Sequence, residues 1–381
     1  MTHIVHFGKY YFPESGGIES VTLSLAKGAA AAGHEVSVVC FTKATMKGTE
    51  IMDAVQVIRA PVSTVIASQP LGIRYFFQCL HAGARADVVH LHWPNMLGAL
   101  GALCCGGSAR LLVHWHSDVI NKGRLGRLIS PLAHRLLRKA DRVVVTSQAY
   151  ARASETLALY LDKVTVVPIG VPDSKHSNDT SALPPWLEER TTGKRIILSV
   201  GRLVPYKGFD VLINAARNLV SDAIVIIVGG GPMQRHLDEA VRATGVAEQV
   251  ILTGRLDNGV LHALFQRAAL YCLPSTSRAE AFGVVLAEAM AYGLPIVASD
   301  IPGSGVPWVN QQDKSGLNVP VGDPAALARA CNEILNSTEL RDRLARGARE
   351  RFTSEFTEQQ SVNRMLAVYD RLVSTSGIVT K

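Results

Sequence analysis

The chain has 381 residues, 48% of them apolar and 19% charged, with a formal net charge of +7. That length suggests two domains of ordinary size, and the balance of apolar to charged residues excludes a disordered chain. The six cysteines, Cys40, Cys79, Cys104, Cys105, Cys272 and Cys331, form no CxxC or Cys/His spacing, which argues against a zinc module and for reduced, buried thiols.

No apolar run reaches the roughly 18 residues of a membrane span, and the chain opens on a strand-like run without the n-region and h-region of a signal peptide. A cytosolic protein is therefore expected.

In chain order, short β-branched runs alternate with helical stretches, the pattern of βαβ units and parallel sheets. The first run, IVHF at 4–7, leads into a βα turn holding Gly16 and Gly17 just before a helix. Paired glycines let the backbone approach a phosphate or sugar closely, although a simple turn uses them too. Further runs follow at 35–41, 86–93 and 110–116. The last ends on His116, at a sheet's carboxyl edge, where an imidazole could orient a sugar hydroxyl or assist proton movement. His90, His92 and His114 read instead as buried, satisfied histidines.

Between 122 and 139, Arg124, Arg127, Arg135 and Arg138 share one helical side while Leu125, Leu128, Leu132 and Leu136 lie on the adjoining one. This basic amphipathic pattern suits an anionic membrane surface, and equally a surface helix with its stripe on the core. Pro131 argues against one unbroken helix. Runs at 141–147 and 163–170 complete a six-stranded first domain.

The polar, proline-containing stretch 173–194 reads as a linker. A second series of runs then occupies 195–201, 223–231, 249–254, 269–275, 295–299 and a short stretch near 316–319. Arg202 and Lys207 follow the first of these, in a loop at the sheet's mouth where two cations can neutralise a diphosphate. The VGGGP at 228–232 lacks the third glycine of a dinucleotide fingerprint and reads as turn chemistry.

The most specific segment is EAFGVVLAEAMAYG at 280–293. Glu280 and Glu288 sit among apolar neighbours, where a charged group needs a partner. If Phe282, Gly283 and Val284 open a helix, its free amides and dipole suit an anion. Eight helical residues would span about 12 Å, a fit for a ligand bridging the two carboxylates. From Asp323 the chain reads as helical, and its last segment is expected to pack back on the first domain. No DxD occurs anywhere, so no essential metal and no separate cofactor are expected.

GGIE at 16–19, GRLVPYKG at 201–208 and EAFGVVLAEAMAYG at 280–293 together resemble the family-4 retaining glycosyltransferases of the GT-B fold, in order and over nearly the whole chain. The resemblance implies an α/β protein with two Rossmann-like doubly wound parallel-sheet domains facing a central cleft. An acceptor-binding domain would occupy 1–172, joined by a C-terminal helix at about 355–381, and a nucleotide-sugar-binding domain 195–354.

It implies that Glu280 contacts the donor sugar and Glu288 the ribose, with Arg202 and Lys207 on the diphosphate. The Phe282, Gly283 and Val284 amides and the Gly16–Gly17 loop would close on the donor, and His116 would lie by the transferred sugar. Ala281 departs from the glycine of many relatives. The run at 304–324 is similar to that of bacterial transferases building surface polysaccharide, several of which use GDP-mannose or GDP-rhamnose. Expected partners are thus a nucleotide-sugar donor and a glycan or lipid-linked acceptor, with no nucleic acid and an anionic membrane surface as a candidate for 122–139. Rival readings are a UDP-sugar transferase, a nucleotide-cofactor oxidoreductase, for which no GxGxxG turn is present, and an inactive membrane-surface adaptor.

Overall fold

The computed structural model describes residues 1–14, 16–42, 48–66, 69–119, 123–174 and 180–374, the side chains of 123–128 excepted. The chain divides into two compact units, one of residues 1–170 and 358–381 and the other of residues 171–357.

In the first unit the elements run β1 (His3–Phe7), α1 (Gly17–Ala31), β2 (Glu35–Thr42), β3 (Gly48–Met52), β4 (Val55–Pro61), β5 (Thr64–Ile66), β6 (Gln69–Leu71), α2 (Ile73–Gly83), β7 (Val88–Trp93), α3 (Met96–Cys104), β8 (Arg110–Trp115), α4 (Gly123–Lys139), β9 (Arg142–Val145), α5 (Gln148–Ala153) and β10 (Val164–Val166). Eight strands, not the six expected, form one sheet in the order β10-β9-β8-β7-β1-β2-β4-β3. All its pairs are parallel except β3 with β4. Asp53 and Ala54 join that hairpin, both at positive φ (49° and 61°), the geometry of a type I′ turn that usually takes Asn-Gly or Asp-Gly. With alanine in the second place, the sequence carries only half of the usual turn signal.

The C-terminal half of α4 places Ala133, Leu136 and Leu137 in the core, and Lys139 donates to the carbonyls of Ala102 and Leu103 at 2.8 and 3.0 Å, closing the end of α3. Arg135 and Arg138 are exposed; the side chains of Arg124, Leu125, Arg127 and Leu128 lie outside the described residues. Among the described residues no helix is long and apolar enough to cross a membrane. The cysteines are free, but Cys104 is exposed and Cys105 only half-buried, against the expectation that all are buried.

The second unit begins at residue 171, just before the stretch 173–194 expected to be a linker, so that stretch belongs to it and carries α6 (Pro185–Thr191). Pro185 sits in the first helical turn, where its missing N–H costs nothing, and Glu188 pairs with Arg267. The elements continue as β11 (Arg195–Val200), α7 (Phe209–Ala216), β12 (Ala223–Val228), α8 (Gln234–Thr244), β13 (Val250–Gly254), α9 (Asn258–Arg267), β14 (Ala268–Leu273), α10 (Val284–Ala291), β15 (Ile296–Ser299), α11 (Val306–Val309), β16 (Gly316–Val319), α12 (Pro324–Asn336) and α13 (Thr338–Arg351).

The sheet is all parallel in the order β13-β12-β11-β14-β15-β16. Every residue of β12, AIVIIV, is buried, as a strand covered by helices on both faces requires. On one face Ala223, Val225 and Ile227 join side chains of α7 and α12 in one core. The closing helix α14 (Glu358–Ser374) belongs to the first unit. A Cβ at Gly28 of α1 would lie 2.5 Å from both methyls of Val362, so the two helices meet where only glycine fits.

Candidate active site

Strand order reverses in the second sheet between β11 and β14, the strands from which the two longest site loops emerge. Ligands bind outside the carboxyl ends of strands at such points. The loop after β11 holds Arg202 and a single 3₁₀ turn, Pro205–Lys207, closed by Gly208 at φ 65°. A Cβ on Gly208 would stand 2.1 Å from the Pro274 carbonyl oxygen. Glycine is therefore needed twice over, for the left-handed backbone and for the close approach to the end of β14. Thr276 ties the loops together by donating its amide to the Tyr206 carbonyl at 2.7 Å.

That contact brings Lys207 to Glu280. The Lys207 Nζ lies 2.6 Å from Glu280 Oε2, and the residues are only 7% and 8% exposed. The same Oε2 accepts the Ser275 hydroxyl at 2.9 Å. Glu280 precedes the helix: its amide donates to Ser277 O at 3.0 Å, and its carbonyl accepts the Ser304 hydroxyl. The Gly305 amide donates to Ala281 O at 2.8 Å. A buried carboxylate with both its side chain and its backbone anchored is held in one orientation before any ligand arrives.

Helix α10 starts at Val284, with Gly283 as its N-cap at φ 77°. Only Val284 to Glu288 of the 280–288 stretch is helical, so the spacing of the two glutamates does not measure about 12 Å along a helix axis as the sequence suggested. Phe282 is buried and packs edge-on against Phe356, ring centroids 5.8 Å apart, which fixes the entry to α10.

Glu288 is half-buried on α10. Burial raises its carboxyl above the ordinary glutamate range, and the Lys207 charge opposes that shift. One lysine thus serves both carboxylates. Arg202 is exposed. The Tyr206 phenol is pushed up by burial and by Glu280, against Lys207 and Arg202, and the Lys207 Nζ lies 5.8 Å from the centre of its ring.

Because the folded protein holds the Glu288 proton more tightly than the unfolded chain, stability from this group falls as pH rises out of the ordinary glutamate range and through the raised value. Glu288→Gln is expected to raise Tm by a few degrees at pH 8. The gain should vanish near pH 4, as a series of thermal melts would show.

Gly229 and Gly231 have a packing role that turn chemistry alone did not indicate. A Cβ at either would fall 1.9 Å from the Gly201 oxygen or 2.4 Å from the Leu203 oxygen. The two glycines let the loop after β12 lie directly on the Arg202 loop.

The other predicted residues belong to the first unit. Gly16 is the N-cap of α1 and Gly17 its first residue. A Cβ on Gly16 would meet the Glu19 carboxylate at 2.2 Å, whereas Gly17 has open space. Glu19 folds back over the helix start, as an acidic residue at that helical position can.

His116 follows β8 and is 8% exposed. Its Nε2 lies 3.0 Å from His92 Nδ1. Asp118, its expected polar neighbour, accepts from Trp115 Nε1 at 3.0 Å and from the Ser154 hydroxyl at 2.7 Å, so its carboxylate organises the loop. His90, His92 and His114 are buried, but not all are satisfied: neither ring nitrogen of His114 has a partner, nor has Nε2 of His90. His6 joins the same cluster.

The chain matches the family described as glycosyl transferases group 1 over residues 187–351 and the glycosyl transferase 4-like domain over 16–170. It is 31% identical to O-antigen chain mannosyltransferase C of Escherichia coli, covering 98% of this chain and 100% of the relative. It is 32% identical to the D-rhamnosyltransferase WbpZ of Pseudomonas aeruginosa, covering 93% and 92%. The sucrose-phosphate synthase of Thermosynechococcus elongatus superposes with a TM-score of 0.77 over 98% of this chain and 100% of that one, at 21% identity. With two Rossmann-like units and relatives matched over 92–100% of their length, the chain belongs to the family-4-like glycosyltransferases of the GT-B fold.

Proposed function

We propose that this glycosyltransferase moves a mannosyl or rhamnosyl residue from a GDP-sugar, with retention of anomeric configuration, to a glycan or lipid-linked acceptor in bacterial surface polysaccharide assembly. The names of the two full-length relatives support the sugar class. The observation that carries the chemistry is the buried Lys207–Glu280 pair at the strand-order reversal.

In this reading the donor's diphosphate lies against Lys207 and Arg202, which neutralise the leaving group without an essential metal or other cofactor. Glu280, oriented by Lys207 and Ser275, faces the transferred sugar and acts by position and charge. Glu288 takes the ribose hydroxyls. Amides of Phe282, Gly283 and Val284 supply donors at the start of α10, Gly16 and Gly17 of the first unit bind the donor, and His116 serves the transferred sugar. The departing diphosphate accepts the acceptor's proton. Segment 122–139 is proposed to rest on an anionic membrane surface at the inner face of the cytoplasmic membrane.

The test is a thermal-shift screen of GDP-mannose, GDP-rhamnose, UDP-glucose and NAD. A ligand at a hundred times its Kd adds about 2.7 kcal/mol of stability. GDP-sugars are expected to give the largest rise in Tm. A larger rise with the UDP-sugar would move the donor assignment within the family, and a rise with NAD alone would overturn the reading.

A further inference from the structure

Five histidines lie on one face of the first unit's sheet, on three adjacent strands. His6 of β1 is registered with His90 of β7, and His92 of β7 with His114 of β8, while His116 follows two residues later. Three of them form a continuous row. His6 Nδ1 lies 3.0 Å from His92 Nε2, and His92 Nδ1 lies 3.0 Å from His116 Nε2.

The ring centroids in both contacts are 5.3 Å apart, with the planes within 21° and 10°. That separation is what two imidazoles meeting edge to edge through such a contact require, so the bonds run in the ring planes. The other two rings stack on the row: His90 on His92 at 4.5 Å and His114 on His116 at 4.0 Å.

A metal ion fits this arrangement poorly. Imidazole lone pairs lie in the ring plane, and those of face-stacked His114 and His116, 20° from parallel, run alongside each other instead of converging. Both nitrogens of His92 are already spent within the row.

Burial drives the His6 and His116 rings down to about 3 and the His92 ring well below its ordinary value, so all three are neutral near pH 7. A neutral imidazole has one N–H and one lone pair. Each N···N contact then needs one donor and one acceptor, and the protons of the row must share a register. Either every ring carries its proton on Nδ1, or every ring carries it on Nε2.

The far end breaks the tie, because His6 Nε2 is buried and has no partner. In the Nε2 register that atom would be an orphaned buried N–H, the rarest and costliest kind of unsatisfied group; in the Nδ1 register it is only an unused lone pair.

We infer that His6 and His92 are positioning residues that hold His116 in its Nδ1–H form, so that His116 presents a hydrogen-bond donor, not a base, beyond the edge of the sheet. The consequence for transfer rests on the proposed placement of His116 by the sugar; the tautomer does not. As a donor, His116 orients an oxygen of the sugar and takes no proton from the acceptor hydroxyl.

The test is long-range ¹H–¹⁵N correlation of ¹⁵N-histidine-labelled protein at pH 7.5, which reads the tautomer of each ring without any substrate. His6, His92 and His116 are expected to show protonated Nδ1 and bare Nε2. His6→Asn keeps a donor near the Nδ1 position and should preserve the His116 signature. His6→Leu removes that donor and leaves the buried His92 Nε2 as the unpartnered end of the row, where a lone pair is again the cheaper group to orphan, so His116 should stay in its Nδ1–H form. His116 in the Nε2–H form in the unmodified protein or in either variant would overturn the inference while leaving the transferase reading intact. Should His6→Leu fail to fold, the tautomers of the unmodified protein and of His6→Asn still decide it.

Discussion

Glu280→Gln is expected to lower sugar transfer by about a thousandfold, the upper range for loss of one preorganised electrostatic group, while nucleoside diphosphate still binds. The substitution preserves shape and hydrogen-bonding reach but removes the charge that the site was built to hold. Two anchors, Lys207 at 2.6 Å and Ser275 at 2.9 Å, converge on one oxygen of Glu280. In the proposed reading that carboxylate faces the transferred sugar, where positive charge develops. A loss confined to kcat would mark an interaction made in the transition state. Turnover assays paired with calorimetric titration of GDP separate the two effects, and unaltered turnover would remove Glu280 from the chemistry.

Lys207→Met is expected to damage both folding and binding. A buried ion pair broken from one side leaves an uncompensated charge, at a cost of about 3–5 kcal/mol. Here the stranded group is Glu280, 8% exposed, and Glu288 loses the one opposing charge that offsets its burial. Urea unfolding should show the loss directly. The double variant Lys207→Met with Glu280→Leu should recover most of the stability, because neither charge remains to be buried, yet stay inactive. Nucleoside diphosphate affinity should fall in both variants if Lys207 faces the phosphates. A double variant no more stable than Lys207→Met would show that the pair is not the energetic unit its geometry indicates.

Much of this site is written locally. A glutamate followed by Ala281-Phe282-Gly283 and an apolar helical run can be read as a loop feeding a helix, and Gly283 does cap the start of α10. Runs such as AIVIIV at 223–228 declare a strand covered on both faces because no polar position interrupts them. What escaped the sequence depends on pairing across distance. The Lys207–Glu280 contact joins residues 73 positions apart and exists because Gly208 lets the first loop touch Pro274.

The histidine row is of the same kind. HLH at 90–92 and HWH at 114–116 show the two-residue period of a strand face, but nothing local reveals that His6 lies in register with them. The β3–β4 hairpin was hidden by Asp53-Ala54, a turn whose second residue is unfavourable for its backbone. In the polar stretch 173–194, α6 is too short for its period to show.

The most direct single measurement is proton NMR of the sugar first released when the enzyme turns over GDP-mannose with water as acceptor. The expected result is the α-anomer appearing before mutarotation, with none from Glu280→Gln. Initial release of the β-anomer, or equal release by the wild type and Glu280→Gln, would contradict retaining transfer at the Glu280–Lys207 site.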